Sequence, residues 1–373
     1  KNPPFSGTIE EPLGTIKNMA ETVSIVRSLG PSILTTAMNP SSAIEVIQYN
    51  LKPTYEIKFN LTVEREVLPN LSVALGYVGN RATHILTKSD CNAAPSIQVN
   101  GRAFVATGTP RVNRNNGVIT CSTSDGKSFY NAMTVEVKRR LSGGLQFQTS
   151  YTWAKTVDDS TTGGGNADYF EGILTQPYNH KADRGLAAIH LGHNLVMNGL
   201  WALPSPQGNG LAAKLLGGWN ITSIFSATSG VPARVKLSSR SAPDLSRAAN
   251  NQVPELAPGR TRNDIWSGVT AGCAGVTAGQ ELGTPDLYYD PCAFTVPVVG
   301  FLGTAGRDIL RGPGFATLDL SLAKDTRLPM TGDRGKLEFR AEFFNILNRA
   351  TFGTPNRTNF RSEEHTSELQ SHS

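Results

Sequence analysis

The sequence predicts an all-β protein, an antiparallel segment of a transmembrane β-barrel wall. Three observations predict it. Strand-length stretches carry one oily and one wet face. Short turns and long polar loops alternate between those stretches. The stretches also run to about 10–13 residues, near the 9–11 of a tilted transmembrane strand and above the 5–6 usual in soluble sheets. The clearest pair spans Asn131 to Lys155. In its second strand Leu145, Phe147, Thr149, Tyr151 and Trp153 share one face, and Gln146, Gln148, Ser150, Thr152 and Ala154 share the other. Successive side chains in a strand point to opposite faces, so this strand is apolar on one side only.

Four such pairs follow one another. In the first, Ile57, Phe59, Leu61 and Val63 alternate with Lys58, Asn60, Thr62 and Glu64. The turn Leu68-Pro69-Asn70 leads to Leu71, Val73, Leu75 and Tyr77. In the second, Met133, Val135 and Val137 oppose Thr134, Glu136, Lys138 and Arg140 before a Ser142-Gly143 turn, where glycine accepts positive φ. The third sets Leu195, Met197, Gly199, Trp201 and Leu203 beside Trp219, Ile221, Ser223, Phe225 and Ala227. The fourth sets Leu318, Leu320 and Leu322 beside Leu337, Phe339, Ala341 and Phe343. Long loops are expected at about 81–127, 157–190 and 230–314. The last is too long for a compact domain unless it is functional or folded on itself. Short turns of bacterial barrels face the periplasm and long loops the outside. That assigns 68–70, 141–144, 204–217 and 326–335 to the periplasm.

Composition agrees. Of 373 residues only 17% are charged and 39% hydrophobic, while Gly (37) and Pro (22) are frequent. That mixture suits strands, turns and loops rather than helices. The net charge of +5 comes with no Lys/Arg run interleaved with aromatics, so no nucleic-acid partner is expected. No stretch reaches the length of a transmembrane helix, which a β-barrel does not need. Cys91 and Cys121 bracket one loop, and Cys273 and Cys292 sit in another. Pairing within each loop is the simplest of three connectivities and implies an oxidising compartment.

Candidate chemistry is sparse. His190-Leu191-Gly192-His193, near His180 and Asp183, could form a metal cluster, but histidines three apart in a strand project to opposite sides. Asp158-Asp159 with Asp168 lacks the 12-residue spacing of a calcium loop. No metal, cofactor or catalytic residue is therefore expected. Glu338 and Glu342 share a face at roughly 13 Å by strand rise, beyond the 5–9.5 Å of a glycosidase pair. The wet-face charges are the candidates with most content. Lys58, Glu64, Glu136, Lys138, Arg140, Asp319, Glu338, Arg340 and Glu342 would face the lumen, where they either pair across strands in water or line a solute path. Tyr77, Tyr151, Trp153, Trp201, Trp219 and Phe225 lie near strand ends, as interfacial aromatics do.

Five blocks complete the pattern. They are Tyr151-Thr152-Trp153-Ala154-Lys155 with Asp158-Asp159-Ser160; Asp183-Arg184-Gly185; Gly218-Trp219-Asn220-Ile221 with Ser229-Gly230-Val231-Pro232; Leu310-Arg311-Gly312-Pro313-Gly314 running into Leu318–Leu322; and Arg340–Asn348 with Asn356. Together, over about 50–360, they resemble the C-terminal barrel of TonB-dependent outer-membrane receptors, in the Oar-like branch with a carboxypeptidase-regulatory-like N-terminal domain, common in Acidobacteria. The resemblance implies a 22-stranded barrel closed by a plug and import of a scarce bulky solute of siderophore, oligosaccharide or peptide class. It implies as partners outer-membrane lipid, the TonB complex through an N-terminal part, the barrel-insertion machinery and an extracellular solute. The alternative is a passive porin, an adhesin or another β-rich surface binding protein. About eight to ten strands are legible here, with no plug or TonB box, so the chain is expected to be a fragment. We divide it into a loop region 1–53, a partial barrel 54–360 and a tail 361–373. The tail lacks alternation and a terminal aromatic, and reads as non-native sequence.

Overall fold

The computed structural model describes residues 44–159, 179–206, 210–237, 252–327, 335–355 and 358–359. A short helix that the sequence permits near Ile16–Leu29 lies outside those residues, as do Asp168, the Gly163–Gly165 run of the second long loop, Pro329 and Gly332 of the last turn, and the 361–373 tail. Eight strands build the wall: β1 (Tyr55–Leu68), β2 (Leu71–Asp90), β3 (Ile119–Ser142), β4 (Leu145–Asp158), β5 (His193–Ala202), β6 (Trp219–Thr228), β7 (Phe315–Arg327) and β8 (Lys336–Phe343). Their order in the sheet is their order in the chain, and each is antiparallel to the next. Two short strands complete a ten-stranded sheet. Ile44–Ile47 runs parallel to the start of β3, and Gly185–Leu186 runs antiparallel to the end of β4. Among the described residues the sheet is open, with β1 and β8 at its edges.

The register aligns the oily faces of all the wall strands. Val63, Leu75, Val135, Tyr151, Leu195, Ala227 and Ala316 form one row across seven strands. The row nearer the short turns is Val73, Val137, Thr149, Met197, Phe225 and Leu318. Between them on the opposite face lie Glu64, Ala74, Glu136, Ser150, Val196, Ser226 and Thr317. A slip of one residue would exchange the two faces, so the apolar pattern and the register specify each other. Leu61, Val63, Leu75, Met133, Trp153, Met197, Trp201 and Phe339 are all exposed. A continuous apolar face left open in this way is what a wall presents to lipid.

The short connections are as the turn residues require. Asn70 adopts φ 66° between β1 and β2, and Gly143 and Gly144 adopt 59° and 77° between β3 and β4. The β5–β6 connection is longer and holds a short helix, α1 (Leu211–Leu216). Gly218 follows with φ 76°, and a Cβ there would lie 2.4 Å from the Asp325 carbonyl, so only glycine lets β6 start against β7.

Three boundaries differ from the sequence reading. The expected 81–127 loop is only 91–118, because β2 continues to Asp90 and β3 begins at Ile119, giving strands of 20 and 24 residues. Register shifts at Thr83/Ile85 and Ile85/Thr87, with His84 at φ 59°, break the alternation that marks a strand in sequence. Beyond the shifts the ribbon is held by polar contacts, with Thr87 Oγ1 2.5 Å from Asp125 Oδ1 and 2.9 Å from Thr123 Oγ1. At the other extreme, β8 has 8 residues, fewer than expected. The 1–53 segment is not all loop, since Ile44–Ile47 is paired to β3.

The oily face predicts a depth-dependent penalty. Val137→Arg should destabilise the full-length protein in phosphatidylcholine vesicles by about 2–4 kcal/mol, while Ser150→Arg on the polar face should change little. Urea titration of the folded form checks this, and equal losses at both positions would contradict the assigned faces.

Candidate functional site at the long-loop end of the wall

The buried large apolar side chains among the described residues are not in the wall. They lie in a layer made by the three long loops. Ala233, Val235, Ile265, Tyr289, Ala293, Phe294, Ala305, Ile309 and Leu310 form its apolar core, with Leu256, Trp266 and Tyr288 packed against it. All come from the β6–β7 connection, which thus folds on itself. Two-residue strand pairs brace it, Pro232–Ala233 with Leu310–Arg311 and Glu255–Leu256 with Phe294–Thr295. The Cys273–Cys292 disulfide closes a stretch within it, with Cα atoms 5.5 Å apart. Asp290 sits beside this bond and is fully buried; it accepts from Thr270 Oγ1 at 2.6 Å and pairs with Arg260 at 2.9 Å.

The other loops dock onto that core. The β2–β3 loop is clamped at its base by Cys91–Cys121. Its Phe104 ring meets Phe301 at 5.0 Å, Arg102 lies over Phe301 and is ion-paired with Glu255, and the Val105 N–H donates to the Gly300 carbonyl at 2.7 Å. Small polar-face residues under the layer, Ala82, Ala132 and Ala154, are buried. They let the loops come down onto the sheet.

Four of the five sequence blocks meet at this junction, and the structure gives a reason for several of their residues. Asp183, 1% exposed, lies 3.5 Å from Arg234, 0% exposed. A Cβ on Gly185 would sit 2.9 Å from the Arg307 carbonyl, and one on Gly230 would sit 1.7 Å from the Gly312 carbonyl. Gly314 is as tight against Thr228, at 2.6 Å. These glycines allow backbones to cross where a side chain does not fit. In the last block the Asn345 N–H donates to Asp319 Oδ1 at 2.8 Å, which turns the chain at the end of β8. At the turn end, Trp219 Nε1 donates to the Leu215 carbonyl and Lys324 lies over its ring.

The nine charged candidates all lie on the polar face by register, but they do not converge. Lys138 and Asp319 share a row, separated by Gln148, Asn198 and Ile224. Glu136 accepts from Gln148 at 2.6 Å, and Arg340 pairs with Glu338 at 2.6 Å and Glu342 at 3.7 Å. Lys58 pairs with Glu56 at 2.9 Å on β1, at the far edge from β8. Glu64 and Arg140 lie apart on β1 and β3. His190 and His193 also point to different partners, the Thr156 N–H at 3.2 Å and the Tyr151 hydroxyl at 2.8 Å. No three-residue metal-ligand group occurs among the described residues.

What the sequence reading missed is a cavity of about 950 Å³ beneath the loop core. It is lined by the Arg184–Leu186 segment, by Arg262, Asn263 and Trp266, by Gly283 and Tyr288, by the 306–314 stretch and by the 348–352 stretch that follows β8. Arg307 at its wall is buried and ion-paired with Asp158 and with Asp308 at 3.1 Å. It also donates to the Leu186 carbonyl at 3.1 Å, fastening the cavity to β4 and its short partner strand. Burial first, then the positive field of Arg311, lowers the pKa of His190 below its ordinary value. Five arginines scattered over separate loop segments have no sequence period, and this is why the cluster was not visible in the sequence.

Two outcomes follow. His190 Nδ1 must be unprotonated to accept from Thr156. With its pKa lowered in the folded form, the opened form binds the proton more tightly, so this contact is fully stabilising above about pH 6.5 and is lost as the pH falls. Exchange of the Thr156 amide should accelerate relative to its intrinsic rate between pH 7.5 and 5.5, and His190→Gln should abolish that pH dependence. Replacing Cys273 and Cys292 by serine should weaken the loop core by about 3 kcal/mol, the constraint expected of a loop near this length. Limited proteolysis within 262–292, with the wall still protected, reads this out.

No curated protein matches the chain by sequence. The outer membrane transporter YddB from Escherichia coli is a similar solved structure, with 10% identity and a TM-score of 0.41 over 84% of this chain. The match covers 31% of the length of that transporter. Over residues 1–373 the chain matches the family described as an outer membrane beta barrel domain. An open antiparallel wall with one lipid-ready face, a short-turn end and a loop-covered end thus belongs to the outer membrane beta-barrel family, and its place is the bacterial outer membrane.

Proposed function

We propose that the chain is part of the barrel and outer loop layer of a TonB-dependent active transporter of the Oar-like branch. It would import a scarce, bulky solute. The observation that carries this reading is the asymmetry of the wall. One end has two-residue turns at 69–70 and 143–144, while the other carries a folded loop layer with its own core, two disulfides and a cavity. A passive pore needs no such capture layer. The meeting of blocks 183–185, 229–232 and 310–314 at the base of that layer supports the family resemblance those blocks carry.

In this reading the oily face contacts lipid and the nine polar-face charges solvate the lumen. The open edges of β1 and β8 would pair with strands of the rest of the barrel, because an unpaired edge in lipid leaves backbone groups unsatisfied. The plug and the TonB contact would come from an N-terminal part, and the insertion machinery would place the barrel. The chain would be a transporter part and not an enzyme.

The test is growth on, or uptake of, candidate solutes by the native host and by a strain lacking TonB. Loss of uptake in that strain, with the protein still in the outer-membrane fraction, is expected. Equal uptake in both strains would replace this reading with passive passage through a pore.

A further inference from the structure

We infer that the cavity under the loop core binds a solute that carries an oxyanion, a carboxylate or phosphate, together with a flat apolar group. The inference rests on the proposed capture role of the loop layer and gives the chemical class of what is captured.

Charge comes first. Five arginines line the cavity, and Asp308 is the sole carboxylate residue among its lining residues. Arg307 is committed to Asp158 and Asp308. Arg262, Arg311 and Arg349 are exposed, and none has a carboxylate partner among the described residues. Three arginines thus line one space without a carboxylate partner of their own. Like charges lining one space repel, and a bound anion relieves the repulsion. Guanidinium in particular presents paired donors that match carboxylate and phosphate. The field is already felt nearby, since Arg311 contributes to the lowered pKa of His190.

Shape comes second. Trp266 and Tyr288 are half-buried, backed by the apolar core, and line the cavity, while exposed Phe352 stands at its rim. Burial of Tyr288 raises its pKa, so its hydroxyl stays a neutral donor at physiological pH. Rigid aromatic walls beside arginines favour a flat group over a hydrated inorganic ion. A cavity of about 950 Å³ lies near the top of the range of about 300–1,000 Å³ for small-molecule sites, which suits a bulky solute.

The experiment uses the full-length protein in detergent and three probes of one shape: 1-naphthyl phosphate, 1-naphthoate and neutral 1-naphthol, titrated by calorimetry. Both anions, or one of them, should bind at least tenfold more tightly than naphthol. Their difference tells phosphate from carboxylate. Binding should weaken at least tenfold in 0.5 M salt, and as much in the double variant Arg262→Gln with Arg311→Gln. Trp266→Leu should weaken naphthyl phosphate but not inorganic phosphate. Equal binding of naphthol, an unchanged double variant, or no binding by any probe would overturn the assignment. The salt and naphthol arms need no variant, so a misfolded variant does not shield the inference. Binding does not require TonB. Anion binding without TonB-dependent uptake would sink the transport reading alone, and uptake without anion binding would sink this inference alone.

Discussion

Everything in this structure depends on backbone hydrogen bonding in a medium without water. Inside a bilayer an unpaired N–H or C=O has no solvent to turn to, so a spanning sheet must pair every strand. The wall obeys this from β1 to β8 in unbroken chain order. Once the ladder is fixed, side-chain direction is no longer a free choice. Each strand contributes alternate residues to lipid and to the polar face, and the rows through Val135 and Glu136 are two adjacent products of one ladder. The apolar burial that stabilises a soluble domain is nearly absent from the wall, whose large hydrophobics stay exposed until lipid covers them.

The loop layer follows different physics. It lies outside the bilayer, can use water, and therefore needs a conventional core. That core is small, so it is reinforced by a disulfide and by buried ion pairs such as Asp183–Arg234. Such pairs lose much of their attraction to desolvation. What they add here is position. Asp183 comes from the β4–β5 loop and Arg234 from the β6–β7 loop, so the pair joins two loops that share no strand. Arg307 does the same between the β6–β7 loop and the end of β4.

The wall was legible because its rule is local. Eight strands, their oily faces and their order could be read from alternation and turn residues, as at Leu145–Trp153 and Gly143. Legibility ended where the rule ended. Above His84 the ribbon has no lipid face to maintain, so Thr87, Ser89 and Thr120 follow no binary pattern and were read as loop. The cavity was invisible for a related reason. Arg184, Arg262, Arg311 and Arg349 are brought together by tertiary folding across more than 160 residues, and nothing in their neighbours marks them. The glycines at 185, 230 and 314 stood out only as parts of short blocks. Their meaning, a backbone crossing too close for a Cβ, required the structure.

The Cys91–Cys121 bond has a consequence for the order of assembly. It spans the outer end of the longest ribbon, beside the pairing of Ser89 with Cys121 and Asp90 with Thr120. A bacterial outer-membrane chain crosses the periplasm first, an oxidising compartment in which paired thiols become disulfides. A bond closed there joins β2 and β3 at fixed residues before either strand meets lipid. The shifts at 83–87 cancel, so the pairing of Ser89 with Cys121 beside the bond is in the same register as that of Leu75 with Val135. The covalent link thus acts as a memory of alignment, written in water and carried into a medium where a slipped strand has few ways to start again.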